Sequence, residues 1–150
     1  MTQNDLREAM KDAMRAKDSV RLGVIRGVMS AVTNELVAKG RGPGGELTEE
    51  ELVAVIRKAA KQRKDSIEQF TAGSRADLAE SEQAELNVLE SMLPALMPQE
   101  EVHTLAVAKM TELGINDASQ ANQLMAALMK DLKGKADGTV VKAVVDSLFA

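Results

Sequence analysis

No cysteine occurs in the chain, and neither does tryptophan or tyrosine. The first absence excludes disulfides, zinc ribbons and thiol catalysis. Aromatics make up 1% of residues, Phe70 and Phe149 alone, so leucine, valine, isoleucine, alanine and nine methionines must fill the core. Methionine and alanine pack well between helices, whereas a sheet-rich chain would carry more β-branched and aromatic side chains. The same scarcity argues against base-stacking surfaces such as RNA-reading sheets and single-strand platforms. One histidine, His103, cannot build a multi-histidine metal site. The N-terminal MTQNDLREAMKDAM is charged and has no apolar signal-peptide core, and no apolar run approaches membrane-spanning length. These absences predict a cytoplasmic protein with no membrane contact.

A chain of 150 residues is one domain or two small ones. Its net charge of −4 argues weakly against nucleic-acid binding, but the distribution is uneven. Residues 1–64 carry net +4, residues 65–104 net −8, and the remainder is neutral. Steering depends on the local field rather than on the total charge.

The periodicity is helical throughout. Leu22, Ile25, Met29, Val32 and Leu36 recur at helical spacing, as do Leu52, Ile56, Ala60 and Ile67. The last segment, Val140–Val141, Val144–Val145 and Leu148–Phe149, is β-branched enough for a strand, but its four-residue period favours helix. Thr48 with Glu51 is a capping-box pattern, Asp77 with Glu80 its aspartate version, and Asp18 a further cap. Gly114 and Gly134 stand where helices should stop. GRGPGG, Gly40–Gly45, reads as an exposed, flexible connection with Arg41 solvated. In LPALMPQEE, Pro94 ends one helix and Pro98 suits the first turn of the next. The prediction is an all-α protein with a break there. A four-helix N-terminal domain, 1–94, holds helices near 2–17, 18–40, 48–72 and 77–93. A smaller three-helix domain, 95–150, holds helices near 98–113, 119–132 and 139–149.

Candidate chemistry is sparse. Arg57, Lys58, Lys61, Arg63 and Lys64 load one helix with cations, with Arg57, Lys61 and Lys64 on one face. Like charges at that spacing repel, so a partner is needed. Phosphates of RNA are one, and the acidic fourth helix or plain solvation the other. Lys130, Lys133 and Lys135 surround a helix end. There they either favour the helix dipole or face an anion at a turn that Gly134 opens to backbone approach. Arg7, Lys11 and Arg15 read as a solvated stripe. The carboxylate pairs lie on charged faces, no nucleophile arrangement is recognisable, and no catalytic residue, metal site or cofactor is expected.

KQRKDSIEQF, then SRADLAESEQAEL, SMLP and LMAALMKDLKGKADG, with RAKDSVRLGVIRGVMSAV before them, resemble the YqeY proteins over nearly the whole chain. These are small proteins similar to the C-terminal tail of the B subunit of glutamine-dependent Asp/Glu-tRNA amidotransferase. The family's KQR falls on Lys61, Gln62 and Arg63, and its Arg-x-Asp-Leu on Arg75, Asp77 and Leu78. Its Leu-Pro falls on Leu93 and Pro94, and its Lys-Gly-x-Ala-Asp-Gly on Lys133, Gly134, Ala136, Asp137 and Gly138. Where relatives read Gly-Lys-Val-Met-Gly, this chain has Asn122, Gln123, Leu124, Met125 and Ala126, which removes a cation and two glycines. The resemblance implies a four-plus-three helical fold and a tail-like module that contacts tRNA without doing chemistry. The family is associated with carbon–nitrogen ligase activity, but this chain carries no glutaminase nucleophile arrangement or ATP-phosphate loop. The expected tRNA-binding residues are Lys58, Lys61, Arg63, Lys64, Arg75, Lys130, Lys133 and Lys135. The expected partners are tRNA and an aminoacyl-tRNA synthetase or amidotransferase. The alternative is a protein-interaction module docking on such an enzyme without RNA contact.

Overall fold

A computed structural model describes residues 1–42 and 44–150; Pro43, within the GRGPGG connection, lies outside the described residues. Among the described residues the regular structure is helical, with no strand. The order is α1 Gln3–Arg15, α2 Ser19–Ala38, α3 Glu49–Ala72, α4 Ala76–Ser91, α5 Gln99–Leu113, α6 Ala121–Asp131 and α7 Gly138–Leu148. A single 3-10 turn, Ala118–Gln120, precedes α6. The β-branched C-terminal segment is helix α7. Its four-residue period gathers Val141, Val144 and Val145 on one buried face, and tertiary burial outweighs the modest helix penalty of valine.

By contact the chain divides into two compact units, Met1–Pro94 and Ala95–Ala150. In the first, α1 packs on α2, α2 touches both α3 and α4, and α3 and α4 form a long antiparallel pair. Leu6, Ile25, Leu52, Ile56 and Leu89 are almost wholly buried at the centre of this unit. Each side chain so enclosed is worth about 1.5–3 kcal/mol of transfer free energy. In the second unit, α7 lies against both α5 and α6 around Val102, Leu124, Leu128, Val141 and Val144. Just before α5, the Met97 N–H donates to the Lys135 carbonyl (2.9 Å), tying the chain to the turn after α6.

The helix ends follow local chemistry, with two corrections. Thr48 and Glu51 close a reciprocal capping box on α3, and Asp18 caps α2 through the Arg21 N–H. Asp77, however, does not cap α4: Arg75 holds that position without a side-chain bond, and Asp77 lies inside the first turn. The cause is the way α3 ends. Ser74 enters the left-handed region (φ 57°), its N–H reaches Thr71 and the Arg75 N–H returns to the Phe70 carbonyl. This six-to-one closure delivers the chain back into helix at Ala76, one residue ahead of the aspartate.

The second correction concerns Arg41, which is exposed but is not left to solvent alone. Its Nη1 and Nη2 donate to Glu51 Oε2 (2.6 Å) and Oε1 (2.9 Å), and Nη1 also donates to the Glu46 carbonyl. Left-handed Gly40 and Gly42 steer the chain there, and a Cβ on Gly45 would come within 2.9 Å of Arg41. The Leu47 N–H donates to the Gln3 side chain, and Leu47 is buried. The described part of this connection is therefore strapped to α1 and α3.

Candidate nucleic-acid interface

In the first unit the cations of α3 divide into two kinds. Arg63 turns toward α4, where its Nη1 stands 3.1 Å from Glu82 and 3.1 Å from Glu85; the approach to Glu82 has hydrogen-bond alignment. Lys64 lies 3.7 Å from Glu90. Arg75 meets Asp77 at 3.3 Å, which holds the Asp77 carboxyl below its ordinary range. Lys58 and Lys61 are exposed, and no ion pair reaches them among the described residues. Arg57 is half-buried. Pairing with the acidic fourth helix thus accounts for Arg63 and Lys64, and leaves Lys58 and Lys61 facing solvent.

The Arg63 pairs lie where the apolar core has ended. Beyond Ala60 in α3, and before Leu86 in α4, neither helix contributes a fully buried residue. That end of the helical pair is held by partly buried contacts and by the Arg63 bridges. These bridges are part-buried and mark the register of the two helices.

In the second unit, Lys130, Lys133 and Lys135 are all exposed around the α6–α7 turn, and none is ion-paired among the described residues. The two neighbouring carboxylates are already engaged. Asp131 is ion-paired with Lys109 Nζ of α5 at 2.8 Å, and Asp137 caps α7 by accepting the Thr139 N–H at 2.8 Å. The Lys109 hydrogen bond and charge, followed by Lys130 and Lys135, hold the Asp131 carboxyl below its ordinary range. Asp131 in turn raises the Lys109 ammonium. Gly134 is left-handed (φ 77°), but the turn is no backbone cradle. The N–H groups of Lys135 and Ala136 both donate to the Leu132 carbonyl, so an anion would meet ammonium groups instead. The Lys109–Asp131 contact escaped the sequence, since nothing local marks two residues on different helices as neighbours.

Among the described residues no group of three or more histidine or acidic side chains could hold a metal ion, and no helix is long and apolar enough to cross a membrane. His103 is exposed on the first turns of α5, beside a shallow open depression with Pro98, Gln99, Glu100 and Thr104.

A family model described as Yqey-like protein matches residues 3–149. A relative from Kluyveromyces lactis, named "Altered inheritance of mitochondria protein 41, mitochondrial", is 36% identical over 96% of this chain and 80% of its own length. Proteins of the same name from Lachancea thermotolerans and Clavispora lusitaniae are 32% and 30% identical, each over 97% of this chain and over 79% and 86% of their own lengths. These mitochondrial names overturn the cytoplasmic expectation. A charged stretch without an apolar core does not by itself choose among compartments. With the family match running almost from end to end, the chain belongs to the Yqey-like protein family.

Proposed function

We propose that this chain is a non-catalytic, tRNA-associated module that docks on RNA phosphates. The observation that carries this is the α6–α7 turn, where three exposed lysines stand together while both adjacent carboxylates are spent on Lys109 and on the α7 cap. Such a local surplus of ammonium groups attracts a polyanion even in a protein of net negative charge. Lys58 and Lys61 on α3 supply a second set of cations, with no ion pair among the described residues. Arg63, Lys64 and Arg75 hold intramolecular pairs and contribute to RNA only by exchanging them. The resemblance to the amidotransferase tail supports tRNA as the polyanion. With only Phe70 and Phe149 as aromatics, both half-buried, contact falls on the backbone rather than on stacked bases. We also read the two units as separate domains of four and three helices.

The test is the salt dependence of tRNA affinity. Replacing Lys130, Lys133 and Lys135 together by alanine should shallow the log–log slope by about two to three units on duplex-like RNA. Absence of binding by the parent chain at low salt, or an unchanged slope in the triple variant, would sink the proposal. A second reading, docking on a synthetase or amidotransferase without RNA, draws on Leu105, Val107 and Leu113, which leave α5 with exposed apolar surface. A protein partner that survives nuclease treatment in a pull-down would favour it.

A further inference from the structure

We propose that Lys109 is a positioning residue for the lysine turn: from α5 it holds Asp131 in an ion pair that keeps this carboxylate from neutralising Lys130 and Lys135. The proposal rests on the phosphate-docking role given to that turn above. Asp131 is the last residue of α6, directly beside Lys130 and one short turn ahead of Lys135. The charges of both lysines help to hold its carboxyl below the ordinary range. Lys109 prevails by placement. Its side chain is only 20% exposed, and its ammonium reaches Asp131 at 2.8 Å against 3.4 Å for Glu112 on its own helix. A half-buried ammonium keeps its partner better than a fully solvated one, because less is lost to water and salt. Without Lys109 the carboxylate becomes the nearest anion to the turn, and one lysine of the three is withdrawn from any external phosphate. The pair thus sets the turn's working charge without touching the ligand.

The experiment uses the full chain, an unmodified tRNA transcript as probe, and salt elution from immobilised heparin as an independent polyanion. Lys109→Met should shallow the tRNA salt slope by about one unit, weaken binding about tenfold near 0.1 M salt, and elute earlier from heparin. Adding Asp131→Asn to it should restore both readouts, since the lysines are again unopposed. Asp131→Asn alone should elute later than the parent, because it leaves the Lys109 ammonium unpaired beside lysines that were already unopposed. Helical circular dichroism checks that each variant is folded, and Asp131→Asn keeps the test decisive if Lys109→Met does not fold. A double variant as weak as Lys109→Met would overturn the proposal and make Lys109 a phosphate contact. Lys109→Met behaving like the parent, or Asp131→Asn eluting no later, would also overturn it. If the parent binds no tRNA, the phosphate-docking role on RNA fails, while heparin elution still decides what Lys109 does for the turn.

Discussion

Single residues carry strain and charge that the fold tolerates for stated reasons. Two non-glycine residues, Lys17 and Ser74, occupy the left-handed region (φ 55° and 57°). Each sits immediately past a helix end, where a six-to-one hydrogen bond closes the turn: Asp18 N–H to Ala13, and Arg75 N–H to Phe70. Glycine would adopt that conformation without the Cβ penalty. At Ser74 the neighbouring Gly73 has an ordinary φ of −84°, so the glycine in Gly-Ser-Arg stands one position early. Ser74→Gly is expected to stabilise the first unit by about 0.5–1 kcal/mol, read as a shift in urea midpoint at constant m. A loss of stability would show that the Ser74 side chain compensates for its backbone. That a break occurs here was plain from Gly73, Ser74 and Arg75; which residue turns left-handed depends on how the last turn of α3 closes.

At the scale of elements, ion pairs link helices that their own sequences would leave independent. The Thr48–Glu51 capping box was legible because cap and partner lie three residues apart. Arg41 is not so placed, and its guanidinium finds Glu51 only because Gly40 and Gly42 turn the chain back on α3. The Arg41 hydrogen bond, then the Thr48 N–H, hold the Glu51 carboxyl down to about 2 from an ordinary 4.5. A folded-state value below the unfolded one means stability that is complete above pH 4.5 and lost as pH falls toward 2. The urea midpoint should therefore decline across that window, and the gap between the parent and Arg41→Ala should narrow there. A gap that stays constant down to pH 2 would contradict the role given to this clamp. Arg63 and Lys64 teach the same lesson at longer range. Their acidic partners were visible as a class, but Glu82, Glu85 and Glu90 become the partners only once α3 and α4 are laid antiparallel in one register.

For the whole molecule, two separate groups of buried side chains imply two seats of stability. If the units are separate domains, residues 1–94 and 95–150 expressed apart should each unfold cooperatively, the smaller with the lower Tm. In the intact chain, Leu124→Ala should cost the second unit about 2–5 kcal/mol and leave the first unit's transition in place. Calorimetry resolves this, and a single transition lowered as a whole would refute separate domains. The all-helical class was already written in a chain with two aromatics and four-residue apolar periods, because periodicity and composition are local properties that every helix expresses by itself. Family membership was equally readable, since it resides in the order and spacing of short motifs. What each cation does was not readable. Lys58, Lys61, Arg63 and Lys64 form one basic run in the chain, yet two face solvent and two face α4. Likewise Lys130, Lys133 and Lys135 have no ion pair among the described residues, while Lys109, distant in sequence, takes the nearby carboxylate. A charge acquires its role from the groups that folding brings within a few ångströms of it, and that neighbourhood exists only after the helices have packed.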